Sequence, residues 1–163
     1  MTLQQAKELR AAGKHEQARE LLLGLAREFP ADLAIQYETA CVHDSLGLEA
    51  EAVPFYVAAL AGTLPAPLRR GAFLGLGSTY RTLGLFRQAH DTLTQGIAEF
   101  PQANELHVFR AMASYNLGDA KASVETLLRL LVGTTNDPDV KAYARAIEFY
   151  AEDIDQTWPS GAA

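Results

Sequence analysis

The stretch Phe73-Leu-Gly-Leu-Gly-Ser-Thr-Tyr-Arg-Thr-Leu-Gly-Leu-Phe-Arg-Gln-Ala-His-Asp-Thr-Leu-Thr-Gln-Gly-Ile-Ala-Glu-Phe-Pro101 decides the fold. Its apolar or small residues fall at Phe73, Leu76, Gly77 and Tyr80, break at Gly84, and resume at Phe86, Ala89, Leu93, Ile97 and Phe100. That spacing predicts two amphipathic helices joined at a glycine. Gly84 suits a turn that needs positive φ, and Pro101 stops the second helix. Glycine inside a helix costs about 1 kcal/mol relative to alanine, so Gly77 points to close packing of the two backbones, with Ala89 as its counterpart.

The pattern recurs along the chain. Gly13, Gly47, Gly84 and Gly118 are 34, 37 and 34 residues apart, and five residues after each stands Ala18, Ala52, Ala89 or Ser123. In Leu76-Gly77, Tyr80, Gly84, Ala89, Leu93 and Pro101, and in this period, the chain resembles the tetratricopeptide repeat family, whose unit is a helix-turn-helix of about 34 residues. The resemblance runs from about Leu3 to Val132 and implies an all-α fold. That fold would be a right-handed α-solenoid of about four helix-turn-helix repeats plus a C-terminal capping helix. A single domain over 1–163 is expected, with repeats at about 2–30, 31–66, 68–101 and 103–135 and the capping helix at about 139–158.

Local signals fill in this frame. Thr2 with Gln5 reads as a capping box opening a first helix that runs to about Ala12, and Asp32 reads as the cap of the third. On the second helix Ala18, Leu21, Leu22, Leu25 and Phe29 are expected to face inward. Pro54 falls inside the fourth helix at a cost of about 3 kcal/mol, so a late start or a kink is expected near Ala50 to Pro54. The loop Gly62 to Pro67 is expected to hold the extra residues of the 37-residue spacing. In the last helix Val140, Tyr143, Ala144, Ile147, Tyr150, Ala151, Ile154 and Trp158 form one stripe with acids opposite, as suits a helix covering the last repeat. Pro159 to Ala163 should fray.

With 163 residues, 48% of them hydrophobic, the chain can bury a core. No apolar run approaches the roughly 20 residues of a membrane span, and the start Met1-Thr2-Leu3-Gln4-Gln5 lacks a signal peptide's apolar core. The lone Cys41 can form no internal disulfide, which agrees with a cytoplasmic protein. A net charge of −6 argues against a nucleic-acid partner. From Asn136 onward six acids face only Lys141 and Arg145, so this end carries −4 of the −6. Because the acids alternate with apolar residues, a solvated outer face is favoured over an interaction tail.

The sequence offers little for catalysis. Gly75-Leu-Gly77-Ser78 lacks the third glycine and the preceding strand of a phosphate-binding loop. His15, His43, His90 and His107 fall on different repeats without paired ligand spacing, and Cys41 and His43, two apart, point to different sides of a helix. No Gly-x-Ser-x-Gly motif occurs. No metal, cofactor or catalytic residue is expected.

What the family resemblance implies instead is protein binding on the concave face lined by the first helices. Carried over by register, that groove would hold Tyr37, Cys41 and Asp44, then Leu74, Ser78 and Arg81, then Glu105, Val108, Met112, Tyr115 and Asn116, with Lys7 and Arg10 added by the first repeat. Family members that clamp acidic chaperone tails need Lys and Asn where this chain has Leu3 and Lys7, or Tyr37 and Cys41, so a partly apolar peptide or helix is the expected partner. Tyr37→Ala with Tyr115→Ala is then expected to abolish partner capture without changing melting. A homodimer through the uncovered flank of the first helix, Leu3 to Ala12, is the second reading. An enzyme or small-ligand sensor is the third, and it requires a closed pocket.

Overall fold

The computed structural model describes residues 2–159; Met1 and residues 160–163, which hold most of the tail expected to fray, lie outside the described residues. Among the described residues there are ten helices and no strand. They are α1 (Leu3–Ala11), α2 (His15–Glu28), α3 (Leu33–Ser45), α4 (Glu49–Leu60), α5 (Ala66–Thr82), α6 (Phe86–Glu99), α7 (Asn104–Asn116), α8 (Ala120–Thr134), α9 (Pro138–Ala142) and α10 (Ala144–Ala151).

Each hairpin turns on one backbone device. Gly13, Gly47, Gly84 and Gly118 sit at φ of 74°, 72°, 76° and 90°, the left-handed region that side chains disfavour. The residue after each glycine donates its N–H five residues back, as in Lys14 to Leu9 O at 2.9 Å and Leu85 to Tyr80 O at 2.8 Å, which satisfies a carbonyl at the helix end. The chain leaves the turn aimed back along the first helix. Five residues beyond the glycine, Ala18, Ala52 and Ala89 are fully buried and Ser123 is 5% exposed. These small side chains let the paired helices close.

The hairpins stack in order, α2 on α3, α4 on α5 and α6 on α7, and the first helices α1, α3, α5 and α7 touch one another in succession. A core cluster forms at each stacking step. Leu22 packs with Ile35 and Val42, Tyr56 with Leu64 and Leu76, and Leu93 with Phe73 and Leu106. Helix α5 is cut to receive its neighbours. A Cβ on Gly77 would lie 2.5 Å from Leu93 Cγ, one on Gly75 would meet the ring of Tyr56, and one on Gly71 would meet the Tyr37 hydroxyl. Arg69 ties the same region from outside. Its guanidinium donates to both Glu99 carboxylate oxygens at 2.6 and 2.8 Å and to the Leu60 and Gly62 carbonyls, and it lies over the Phe73 ring.

The caps at Thr2 and Asp32 form as expected, and several other expectations change. Helix α4 starts on time at Glu49 and runs through Pro54 to Leu60, since Pro54 lies on the exposed side, where water can satisfy the carbonyl it leaves free. The extra residues lengthen α5 rather than the loop, because Pro67 falls in its first turn, where a missing N–H costs nothing. Phe29 is 48% exposed at the end of α2. His43, given no packing role by the sequence, is 1% exposed and stacked on Phe55. Arg19 Nε donates to His43 Nε2 at 3.2 Å, so the ring proton sits on Nδ1 and is donated to Thr39 O at 2.7 Å.

The capping helix is also different. Residues 139–158 do not form one helix: α9 and α10 meet at Tyr143, and α10 stops at Ala151. Lys121 of α8 holds Asp153 and Asp155 at 3.3 and 2.7 Å, and Asp153 accepts the N–H of Asp155, a local bond that competes with helix. Helix α10 packs on α8, with Ala151 buried.

These notches make two glycines behave oppositely. Gly75→Ala drives a methyl into the Tyr56 ring and should lower stability by about 1–2 kcal/mol, an overpacking cost partly offset by helix propensity. Gly24→Ala, in α2 with open space around it, should raise stability by roughly 0.5–1 kcal/mol. Thermal or urea melts of the two variants check both signs.

Candidate functional site

The layer formed by α1, α3, α5 and α7 carries the residues that register assigns to a groove. Its N-terminal part is occupied by the chain's own polar contacts. Glu38 of α3, with its side chain 6% exposed, takes Arg10 Nη1 at 2.9 Å and Lys7 Nζ at 3.5 Å from α1. A carboxylate this deep requires partners, and two cations supply them. Asp44 accepts from Tyr56 Oη at 2.7 Å and from Thr79 Oγ1 at 2.9 and 3.0 Å, which joins α3 to α4 and α5. Arg70 pairs with Glu105, and Arg81 Nε donates to Asn116 Oδ1 at 2.8 Å, which joins α5 to α7. Asp44–Thr79, Arg70–Glu105 and Arg81–Asn116 all join residues 35 apart. The same register therefore recurs between successive first helices, and the pairs fix the stagger of the array.

Tyr37 and Cys41 belong to this structural set. Tyr37 is half-buried, tilted against Tyr56 at 6.3 Å between ring centres, and its hydroxyl occupies the space left by Gly71. Burial raises the Tyr37 and Tyr56 hydroxyls above their ordinary value, with the nearby Cys41 next in effect, so both remain neutral donors. Burial likewise pushes the Cys41 thiol up, against the opposing pull of Arg10 and the tyrosine hydroxyls. It stays a thiol, a poor nucleophile and a poor metal ligand.

The remaining candidates are less committed. Leu74 is half-buried against the Phe73–Leu93–Leu106 cluster. Ser78 borders a cleft of 170 Å³ with Asp44, Glu49, Thr79 and Thr82, smaller than the roughly 300–1,000 Å³ of ordinary ligand pockets. Val108 and Met112 are half-buried and Tyr115 is 65% exposed. Their spacing of four and three residues puts them on one stripe of α7. Tyr115, which register assigns to the groove, points to solvent. A wider hollow of 510 Å³ lies between α7 and α8, lined in part by His107, Arg110 and Arg129. There His107 Nε2 is 3.0 Å from Pro101 O and Arg129 Nε donates to Glu125. Among the described residues no group of three or more His, Cys, Asp or Glu could hold a metal ion, and no helix is long and apolar enough to cross a membrane.

Sequence reasoning missed Glu38, Tyr56 and Thr79, which bind the inner layer together. Glu38 and Thr79 look like ordinary helix residues, and only the stagger between hairpins brings each to its partner. Gly71 and Gly75 were the available signal, since glycines repeated inside a helix imply something large packed against them.

Stacked helical hairpins with left-handed glycine turns and small residues at the crossing define a helical-repeat solenoid. The family model described as tetratrico peptide repeat matches residues 33–154, and the chain belongs to the tetratricopeptide repeat family, whose repeats mediate protein–protein interaction. The match begins at α3, yet α1 and α2 share the turn of Gly13 and the buried Ala18. A comparison with curated proteins finds no match.

Two measurements check this assignment of roles. Burial holds the Asp44 carboxyl above its ordinary value of 3.8, against the hydrogen bonds from Tyr56 and Thr79. In the window just above that value the folded chain binds a proton that the unfolded chain has released, so this group adds stability as pH falls. The melting temperature of wild type relative to Asp44→Asn should therefore rise on acidification from neutrality toward pH 4; an unchanged difference contradicts the burial. Tyr37→Ala should cost about 2 kcal/mol in a urea melt, because it empties the space beside Gly71 and Tyr56.

Proposed function

We propose that the chain is a non-catalytic protein-binding module that holds an apolar stretch of a partner peptide or helix across the C-terminal half of its inner layer. The observation that carries this reading is the stripe Val108, Met112 and Tyr115, with Tyr115 65% exposed beside the internally paired Arg81 and Asn116. Tyrosine and methionine give broad contact area and adapt to a partner's shape. Leu74 and Ser78 extend the surface toward α5, while Tyr37, Cys41, Asp44 and Glu105 shape it from behind through their ties within the chain. A reducing compartment such as the cytoplasm suits the free thiol of Cys41.

The test separates binding from folding. Met112→Ala/Tyr115→Ala should weaken capture of a partner from native lysate by roughly tenfold or more while helicity and melting stay at wild-type values. Undiminished capture by that variant contradicts the groove. Tyr37→Ala is unsuitable for the purpose, since its loss of stability would be read as loss of binding. Self-association is the second reading, supported by the shallow depression at the free flank of the first hairpin, lined by Gln5, Glu8, Leu9 and Leu21 among others. A monomer by light scattering at concentrations on the order of tens of micromolar disposes of it.

A further inference from the structure

The hollow between α7 and α8 has a counterpart one repeat earlier, and the two are lined in opposite ways. A step of 34 residues, the distance from Gly84 to Gly118, carries Phe73 to His107, Leu76 to Arg110, Gln95 to Arg129 and Glu99 to Gly133. The four earlier residues line a hollow of 320 Å³ on α5 and α6, and the four later ones line the hollow of 510 Å³ on α7 and α8. On its α5 side the earlier hollow is apolar, with Phe73 3% and Leu76 5% exposed, and the cation beside them, Arg69, is neutralised by Glu99. On its α7 side the later hollow has His107 and Arg110, α8 adds Arg129, and a glycine stands in the place of the neutralising carboxylate. No acid lines it.

Packing explains the histidine but not the arginines. His107 Nε2 donates to Pro101 O at 3.0 Å, as Gln36, its counterpart in the second repeat, donates to Pro30 O at 3.0 Å. Arg110 stands where Thr39 and Leu76 are buried in the two preceding repeats. It is itself partly buried, and among the described residues its guanidinium has no ion pair and no hydrogen-bond acceptor. A cation that gives up hydration needs an acceptor in return. Arg129 Nε donates to Glu125 at 3.0 Å, but that is an exposed pair within one helix, weak enough for a better placed oxyanion to displace. Gln102, Asn104 and Thr126 add amide and hydroxyl donors around the two guanidinium groups. In a chain of net charge −6, donors and cations are gathered here without a carboxylate.

We infer that this hollow binds a small molecule through a doubly charged oxyanion group, that of a phosphate ester or a dicarboxylate. Arg110 and Arg129 take its oxygens in charge-assisted hydrogen bonds, and Gln102, Asn104 and Thr126 hold the polar remainder. The third repeat carries its anion within the chain, as Glu99; the fourth takes its anion from solution. A volume of 510 Å³ lies within the roughly 300–1,000 Å³ of ordinary ligand pockets and leaves room for more than the anion alone. His107 and Arg110 lie on a different side of α7 from Val108, Met112 and Tyr115, so this site stands apart from the peptide-binding stripe.

The test titrates inorganic phosphate, succinate and sodium chloride separately into the full chain at matched ionic strength, while backbone amide shifts are followed by NMR. Saturable shifts centred on residues 102–110 and 126–134 are expected, from phosphate if the natural ligand is a phosphate ester and from succinate if it is a dicarboxylate. Arg129→Gln should weaken the response roughly tenfold, the loss of one charge-assisted contact. Arg110→Leu should weaken it as much while melting at or above the wild-type temperature, because it installs the residue that the third repeat buries at this position. That variant separates lost binding from lost folding. The inference is overturned if neither dianion saturates, if chloride moves the same amides equally, which would be screening of exposed charge, or if Arg110→Leu binds with wild-type affinity. Shifts centred on Met112 and Tyr115 overturn it as well, and so does a glutamate peptide that binds the hollow when neither small dianion does.

Discussion

Every hairpin in this chain depends on a backbone reversal that only glycine makes cheaply, followed five residues later by a side chain small enough to let two helices touch. The left-handed turn at Gly13, Gly47, Gly84 and Gly118 sets the direction in which the second helix leaves. The buried Ala18, Ala52, Ala89 and Ser123 set how closely it returns. Helix lengths, stacking order and the position of the inner layer follow from those two conditions, because a hairpin of fixed shape can bury its apolar face only against the next one.

Stacking alone leaves the stagger between hairpins loose, and polar pairs along the inner layer fix it. Glu38 with Arg10 and Lys7, Asp44 with Tyr56 and Thr79, and Arg81 with Asn116 join successive hairpins. Their side chains are used up in the process, so the layer divides in two. In the N-terminal half Glu38 and Asp44 are taken up by partners within the chain. The C-terminal half presents Met112, Tyr115 and, past α8, a cluster of exposed aromatic rings. Among the described residues, exposed large apolar side chains are most numerous toward the C-terminal end of the array.

Much of the fold was legible in sequence because its determinants are local. A glycine turn and a cap such as Thr2 with Gln5 act within a few residues, and the four turns and the caps at Thr2 and Asp32 stand where the sequence puts them. The errors fall where tertiary context decides. Pro54 does not delay the start of α4, its side of the helix facing water, and the stripe from Val140 to Trp158 is interrupted at Tyr143 and leaves the helix after Ala151, where Asp153 and Asp155 pair with Lys121. The groove was legible only as a set of positions. Register put Tyr37, Asp44, Val108 and Tyr115 on one layer, but which of them is free depends on partners 35 residues away or on a glycine in the neighbouring helix, and periodicity carries no such information.

Amide hydrogen exchange of the full chain, resolved by segment, tests this division most directly. Opening energies follow local burial, so the central helices α3 to α6 should exchange slowest and together, while α9 and α10 exchange fastest, with α8 between them. Protection of α8 to α10 equal to that of α5 would contradict the account, since it would mean that the C-terminal helices are held as firmly as the middle of the array.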